Sequence, residues 1–225
     1  MQKCQVLCCE TCLEMAGSIR GPERRIVLVG GTRNGKSVTG DTILGRKVFQ
    51  LQKPFWSVTE ACQKEEAQLK GRKVVVVDMP GFFHYYHPDK ATAAEVRRCV
   101  KFCSLGPHVI LHVMDPSGSF QEMYVAQQIE ENFGLKAKDY MIILFPFKDS
   151  LEGQSIENFI SSRNKKAKKY IAERGNRCLA FNKAEGEERE AQVAELMAMI
   201  DAVVEMNRCA PCYTEDMNVK KRYNF

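Results

Sequence analysis

Gly30-Gly31-Thr32-Arg33-Asn34-Gly35-Lys36-Ser37 fits the spacing G-x-x-x-x-G-K-[ST]. The residues ahead of it, Arg25-Ile26-Val27-Leu28-Val29, carry the apolar character of a buried strand, and a helix is expected to start near Gly35. A strand that ends in glycines and runs straight into a helix is the setting of a phosphate-binding loop. Glycines let successive backbone N–H groups curl around a β-phosphate without side-chain bulk, and the helix adds its positive end. Lys36 then reaches the β and γ oxygens. Ser37 offers a hydroxyl to Mg²⁺, a hard cation that keeps most of its waters and takes only a ligand or two from protein. The candidate nucleotide contacts here are Gly30, Gly31, Thr32, Arg33, Asn34, Gly35, Lys36, Ser37 and Val38.

Downstream, residues 73–77 form a valine-rich run closed by Asp78-Met79-Pro80-Gly81. An aspartate at the carboxyl end of a neighbouring strand is placed to hold a magnesium water. The Gly81 amide can point at the γ-phosphate, so D-x-x-G reports whether that phosphate is present. Between the two motifs lie residues 49–69 with Ser57-Val58-Thr59. Thr59, with Ser57 in reserve, is the candidate second hydroxyl ligand when triphosphate is bound, which makes the metal set Ser37, Thr59 and Asp78.

Residues 109–114 and 140–145 are two more short apolar runs, and helices are expected over 91–103, 121–133, 155–173 and 187–207. Alternation of strand and helix predicts an α/β chain of three layers, a mostly parallel sheet covered by helices on both faces. In the last helix Val193, Leu196, Met197, Ile200, Val203 and Val204 recur at three- and four-residue spacing, a stripe expected to pack on the sheet. The lysine-rich run 163–169 falls within the expected helix 155–173 and reads as a solvated face.

Charge and composition narrow the classes. The chain of 225 residues is 44% hydrophobic with a formal charge of +5, and its basic residues alternate with acids, so nucleic acid is not an expected partner. Its longest apolar runs fall far short of the roughly 18 residues that a membrane-spanning helix needs. There are ten cysteines, but the first twenty residues lack the pattern of an export signal, which predicts a cytoplasmic chain with reduced thiols. Cys4, Cys8, Cys9 and Cys12 read as a reduced tail, with acylation or metal binding as alternatives. Cys209-Ala210-Pro211-Cys212 also reads as tail. The expected organisation is a cysteine-rich segment at 1–21, one globular domain at 22–207 and a short tail at 208–225.

Leu28-Val29-Gly30 through Asn34-Gly35-Lys36-Ser37-Val38-Thr39-Gly40-Asp41-Thr42-Ile43-Leu44-Gly45 resembles the immunity-associated nucleotide-binding GTPases, the GIMAP family. Further segments are similar in family order: Ser57-Val58-Thr59 to Cys62, Val77 to Phe83, Gly106-Pro107-His108, Leu151-Glu152-Gly153 and Glu187 to Val193. The resemblance implies a septin-like, Ras-type G domain of the P-loop NTPase class, with GTP or GDP and Mg²⁺ as ligands. It also implies nucleotide-dependent oligomers with itself or with relatives, and peripheral attachment to internal membranes.

Where such families read guanine with [T/N/R]-K-x-D, this chain has Phe147-Lys148-Asp149-Ser150. Lys148 is retained and the aspartate position falls on Ser150. Either Asp149 shifts by one residue to serve the base, or guanine selectivity is weakened, because a serine gives one neutral contact in place of a charge-assisted pair. The family's base loop is represented by Phe181-Asn182-Lys183-Ala184, one residue short, with Asn182 expected beside the base. Gly81 is followed by Phe82 and not by a water-orienting glutamine, so intrinsic hydrolysis is expected to be slow. Ser119 stands where relatives carry an arginine suited to stabilising transferred charge across a dimer. His84 and His108 are taken as structural. The leading expectation is a GTP-dependent switch or self-assembling scaffold with slow or partner-dependent hydrolysis. A non-catalytic nucleotide-binding interaction module is the alternative, and a small-molecule kinase with residues 163–169 as a phosphate lid is a third reading.

Overall fold

A computed structural model of the chain describes residues 23–49, 61–81, 97–103, 105–115, 120–146, 153–163 and 165–217. The apolar runs become β1 (Glu23–Val29), β3 (Arg72–Asp78), β4 (Val109–Val113) and β5 (Met141–Phe145). Two further strands complete a six-stranded sheet, β2 (Gln63–Leu69) and β6 (Cys178–Ala180), in the order β2-β3-β1-β4-β5-β6. Every pairing is parallel except β2 with β3, which is antiparallel along the edge.

Period-two alternation sends neighbouring residues of each strand to opposite faces. Ile26, Leu28, Val74, Val76, Leu111 and Leu144 face one way, under helices α1 (Lys36–Leu44) and α5 (Gly186–Met206). Val27, Val29, Val77, Ile110 and Met141 face the other, under α2 (Phe120–Phe133) and a helix over residues 97–102. The expected stripe of α5 is the buried one, with Leu196, Ile200, Val203 and Val204 in the core and Met197 packed against it. The three-layer reading therefore holds.

Three expectations change. Residues 63–69 leave the loop and form β2, whose sequence QKEEAQL lacks an apolar run because this edge strand is half-exposed. It reaches β3 through a tight turn at Lys70 and Gly71, with φ of 49° and 79°. The single helix expected over 155–173 is two, α3 (Ile156–Ser161) and α4 (Lys165–Ala172). Ser161 and Ser162 explain the break, since their hydroxyls donate to the carbonyls of Asn158 and Phe159 at 2.7 and 2.8 Å, closing the first helix locally. The lysines of α4 lie on its exposed side, while Ala167, Tyr170 and Ile171 are buried, as expected of a solvated face.

The cysteines also depart from the reduced picture. Cys62 and Cys99 are joined in a disulfide between the residue ahead of β2 and the helix over 97–102. Cys212 and Tyr213, read as tail, are buried. The Tyr213 hydroxyl donates to the Phe133 carbonyl at 2.5 Å, and Arg25 donates to Cys212 Sγ at 2.9 Å. Among the described residues no helix is long and apolar enough to cross a membrane.

Candidate functional site

β1 pairs with β3 on one side and β4 on the other, so the chain diverges at its carboxyl end and leaves a crevice there. The glycine-rich loop occupies that crevice. A Cβ at Gly30 would drive into the Val113 carbonyl oxygen, so only glycine lets the loop pass this close to β4. Arg33 and Gly35 take left-handed backbone angles, with φ of 69° and 84°, which turns successive amides toward one concavity. α1 begins directly behind it. Its N-cap Gly35 carries no side-chain cap and its first turn holds no acidic residue, so the helix's positive end is left available to an anion.

Lys36 is buried at 6% exposure and folds back on the loop, donating to the carbonyls of Gly31 at 2.8 Å and Gly30 at 3.3 Å. Burial lowers its pKa, while the carboxylates of Asp78 and Glu122 pull it back up. Ser37 donates its hydroxyl to Asp78 Oδ2 at 2.6 Å, joining the start of α1 to the end of β3. Gly81 is pressed against the loop, where a Cβ would lie 2.7 Å from the Thr32 amide nitrogen. The two motifs read separately in sequence thus converge on one concavity.

Among the described residues no group of three His, Cys, Asp or Glu side chains could hold a metal by itself. The Ser37 hydroxyl and Asp78 carboxylate are hard oxygen donors already in contact, which fits magnesium carried largely by water and phosphate. Thr59 and Ser57 lie outside the described residues, as do Lys148, Asp149, Ser150, Phe82, His84 and Ser119.

Asn182 follows β6 at the same end of the sheet. Its side-chain amide is turned to α5: it donates to Glu188 Oε1 at 2.6 Å and accepts from Gln192 Nε2. His108 is structural, as expected, with Nδ1 accepting from the Arg25 amide at 3.0 Å.

One residue of the site escaped the sequence reading. Glu122, in the first turn of α2 and 4% exposed, accepts from Asn34 Nδ2 at 2.9 and 3.0 Å and from the Asp115 amide at 3.3 Å. Burial raises its pKa, and the Asn34 and Asp115 hydrogen bonds oppose that shift. Acids are routine in a first helical turn, so its position alone carried no signal. A separate cavity of about 550 Å³, lined by Leu69, Arg72, Val193 and Met197 among others, lies at the amino ends of the parallel strands, away from this site.

A profile of the AIG1 family matches residues 24–224. The chain is 33% identical over 212 residues to immune-associated nucleotide-binding protein 9 of Arabidopsis thaliana, covering 89% of this chain and 60% of the relative. It is 32% identical over 189 residues to GTPase IMAP family member 8 of Homo sapiens, covering 82% of this chain and 28% of the relative. The chain thus spans less than two thirds of the length of either relative. Among solved structures, Toc33 from Arabidopsis thaliana in complex with Mg²⁺ and GMPPNP aligns with a TM-score of 0.62 at 16% identity, covering 88% of this chain and 92% of that one. Era from Aquifex aeolicus bound to GDP·AlF₄⁻ aligns with a TM-score of 0.57 at 17% identity, covering 80% and 56%. At such identities these structures establish the fold.

Proposed function

The chain belongs to the AIG1 family, and from that premise we propose that it binds a guanine nucleotide with Mg²⁺ and acts as a GTP-dependent switch or self-assembling scaffold. The observation that supports the reading is the convergence of Asp78 on Ser37 and of Gly81 on Thr32, the arrangement that a magnesium-side carboxylate and a phosphate sensor would need. Lys36 would exchange its two carbonyl partners for the β and γ oxygens. Ser37 would ligate the ion and Asp78 would hold one of its waters. Bound there, magnesium supplies positive charge across the terminal phosphates.

Hydrolysis in this reading is slow or depends on a partner, because Gly81 is followed by Phe82 and Ser119 stands where the family resemblance implies an arginine. Toc33 offers a precedent in the same fold, since dimerization is important for the GTPase activity of atToc33 and psToc159. A non-catalytic nucleotide-binding module is favoured instead by Ser150 at the aspartate position of the base motif.

Calorimetric titration with GMPPNP and with an ATP analogue, each with Mg²⁺, tests the reading. The parent is expected to prefer the guanine analogue, and Lys36→Ala to bind about 10- to 100-fold more weakly through loss of charge-assisted hydrogen bonds. No affinity for any nucleoside triphosphate would end it. Phosphate release that rises with protein concentration supports the partner-dependent enzyme. Its absence at every concentration supports the module.

A further inference from the structure

Asn34 is the residue immediately ahead of Gly35 and Lys36, and its side chain does not face the concavity. It points away, where Nδ2 meets both carboxylate oxygens of Glu122 at 2.9 and 3.0 Å and the Val113 carbonyl at 3.3 Å. Glu122 is 88 residues distant in sequence, so this contact joins the loop, the end of β4 and the first turn of α2 in one place. Both partners are buried, Asn34 at 8% and Glu122 at 4% exposure. A buried carboxylate is costly unless hydrogen bonds compensate it. This one faces donors from the loop and from the Asp115 amide, and its charge also acts on the Lys36 ammonium.

We propose that Glu122 is a positioning residue for the phosphate cradle, holding the Asn34 side chain so that the amides around Gly35 and Lys36 keep the curvature a polyphosphate requires. The inference rests on the nucleotide reading above and adds to it a residue outside the loop on which grip depends. Its role is indirect, because Glu122 acts through its contact with Asn34. The bond is directional, an amide donor meeting a carboxylate acceptor, and this separates positioning from mere packing. Reversing donor and acceptor should preserve the clamp, whereas placing two acceptors together should break it.

The experiment measures the dissociation rate of a fluorescent GDP analogue with Mg²⁺, with a thermal melt of each protein alongside. Glu122→Ala is expected to release nucleotide about tenfold faster or more, as loss of a hydrogen bond to a charged group implies. Asn34→Asp should behave likewise, since it sets a carboxylate against a carboxylate. Asn34→Asp combined with Glu122→Gln should release nucleotide more slowly than Asn34→Asp alone, because the amide now donates from the helix side, with part of the loss remaining where the Val113 carbonyl no longer has its donor. Should Glu122→Ala not fold, Asn34→Asp and the reversed pair carry the test. A parent that binds nucleotide, with Glu122→Ala releasing it at the parental rate or the reversed pair no better than Asn34→Asp alone, overturns the inference and leaves the nucleotide reading standing. A parent that binds no nucleotide overturns both.

Discussion

Gly81 has no side chain, and that is what allows β3 to deliver its carboxyl end to the loop. A Cβ there would lie 2.7 Å from both the amide nitrogen and the Cα of Thr32, well inside van der Waals contact. Gly81→Ala is therefore expected to push this segment off the loop. If Gly81 senses the γ-phosphate as proposed, the loss should fall on the triphosphate: the ratio of GMPPNP to GDP affinity is expected to drop by about tenfold, the worth of one hydrogen bond to a charged oxygen. Paired titrations read this ratio, and equal loss for both nucleotides would show that Gly81 does not discriminate between them. Lys36 is its counterpart on the other wall. Burial lowers the pKa of Lys36, and the neighbouring carboxylates of Asp78 and Glu122 oppose that shift.

Elements are tied together at the far end of the sheet by charge as well as by the core. Asp201 on α5 accepts from Arg24 Nε at 2.8 Å and from Arg72 Nη1 at 2.8 Å, joining the starts of β1 and β3 to the helix that covers them. The Arg24 side chain is 5% exposed and Asp201 is 40% exposed, so the pair is half-screened by water. Asp201→Ala leaves two guanidiniums without this carboxylate. The expected loss is about 2 kcal/mol, below the cost of breaking a fully buried pair and above that of a surface one. A urea midpoint that falls at unchanged slope reports it, and a midpoint identical to the parent's would show that the bridge contributes nothing. The same scale accounts for β2. Its partner β3 carries a buried run of four valines, but β2 sits at the edge with half its residues in water, so its pattern of charges hid a strand from periodicity.

Among the described residues, two buried histidines of the folded molecule resist protonation. His112 in β4 lies 2.9 Å from the Tyr170 hydroxyl through Nδ1, and its pKa is held down to about 3 by burial first and then by Arg174 and Lys36. His108 is likewise held down to about 3, by burial and then by Arg25 and Arg24. An unfolded chain takes up these protons near the ordinary value of 6.5. Between there and about 3 the unfolded state binds protons that the folded state refuses, so stability falls as the pH falls through that window and is fully present above it. The slope is expected to reach about 1.4 kcal/mol per pH unit for each histidine. Urea unfolding at steps from pH 7.5 to 4 measures it, and a flat profile over that range would show that the rings are protonated in the fold.

Sequence by itself determined the glycine-rich loop between β1 and α1, the aspartate and glycine that approach it, the parallel core strands and the apolar stripe of the last helix. These are legible because each is a local pattern: a fixed spacing of small and charged residues, or an apolar period imposed by a strand or helix. Tertiary structure alone decided that Glu122 grips Asn34, that Cys62 meets Cys99, that Arg25 draws Cys212 into the interior and that residues 155–173 break into two helices. The first three are contacts between residues far apart in the chain, where no periodicity links the partners. The last is settled by which backbone carbonyls two serine hydroxyls can reach, and that geometry exists only once the chain has folded.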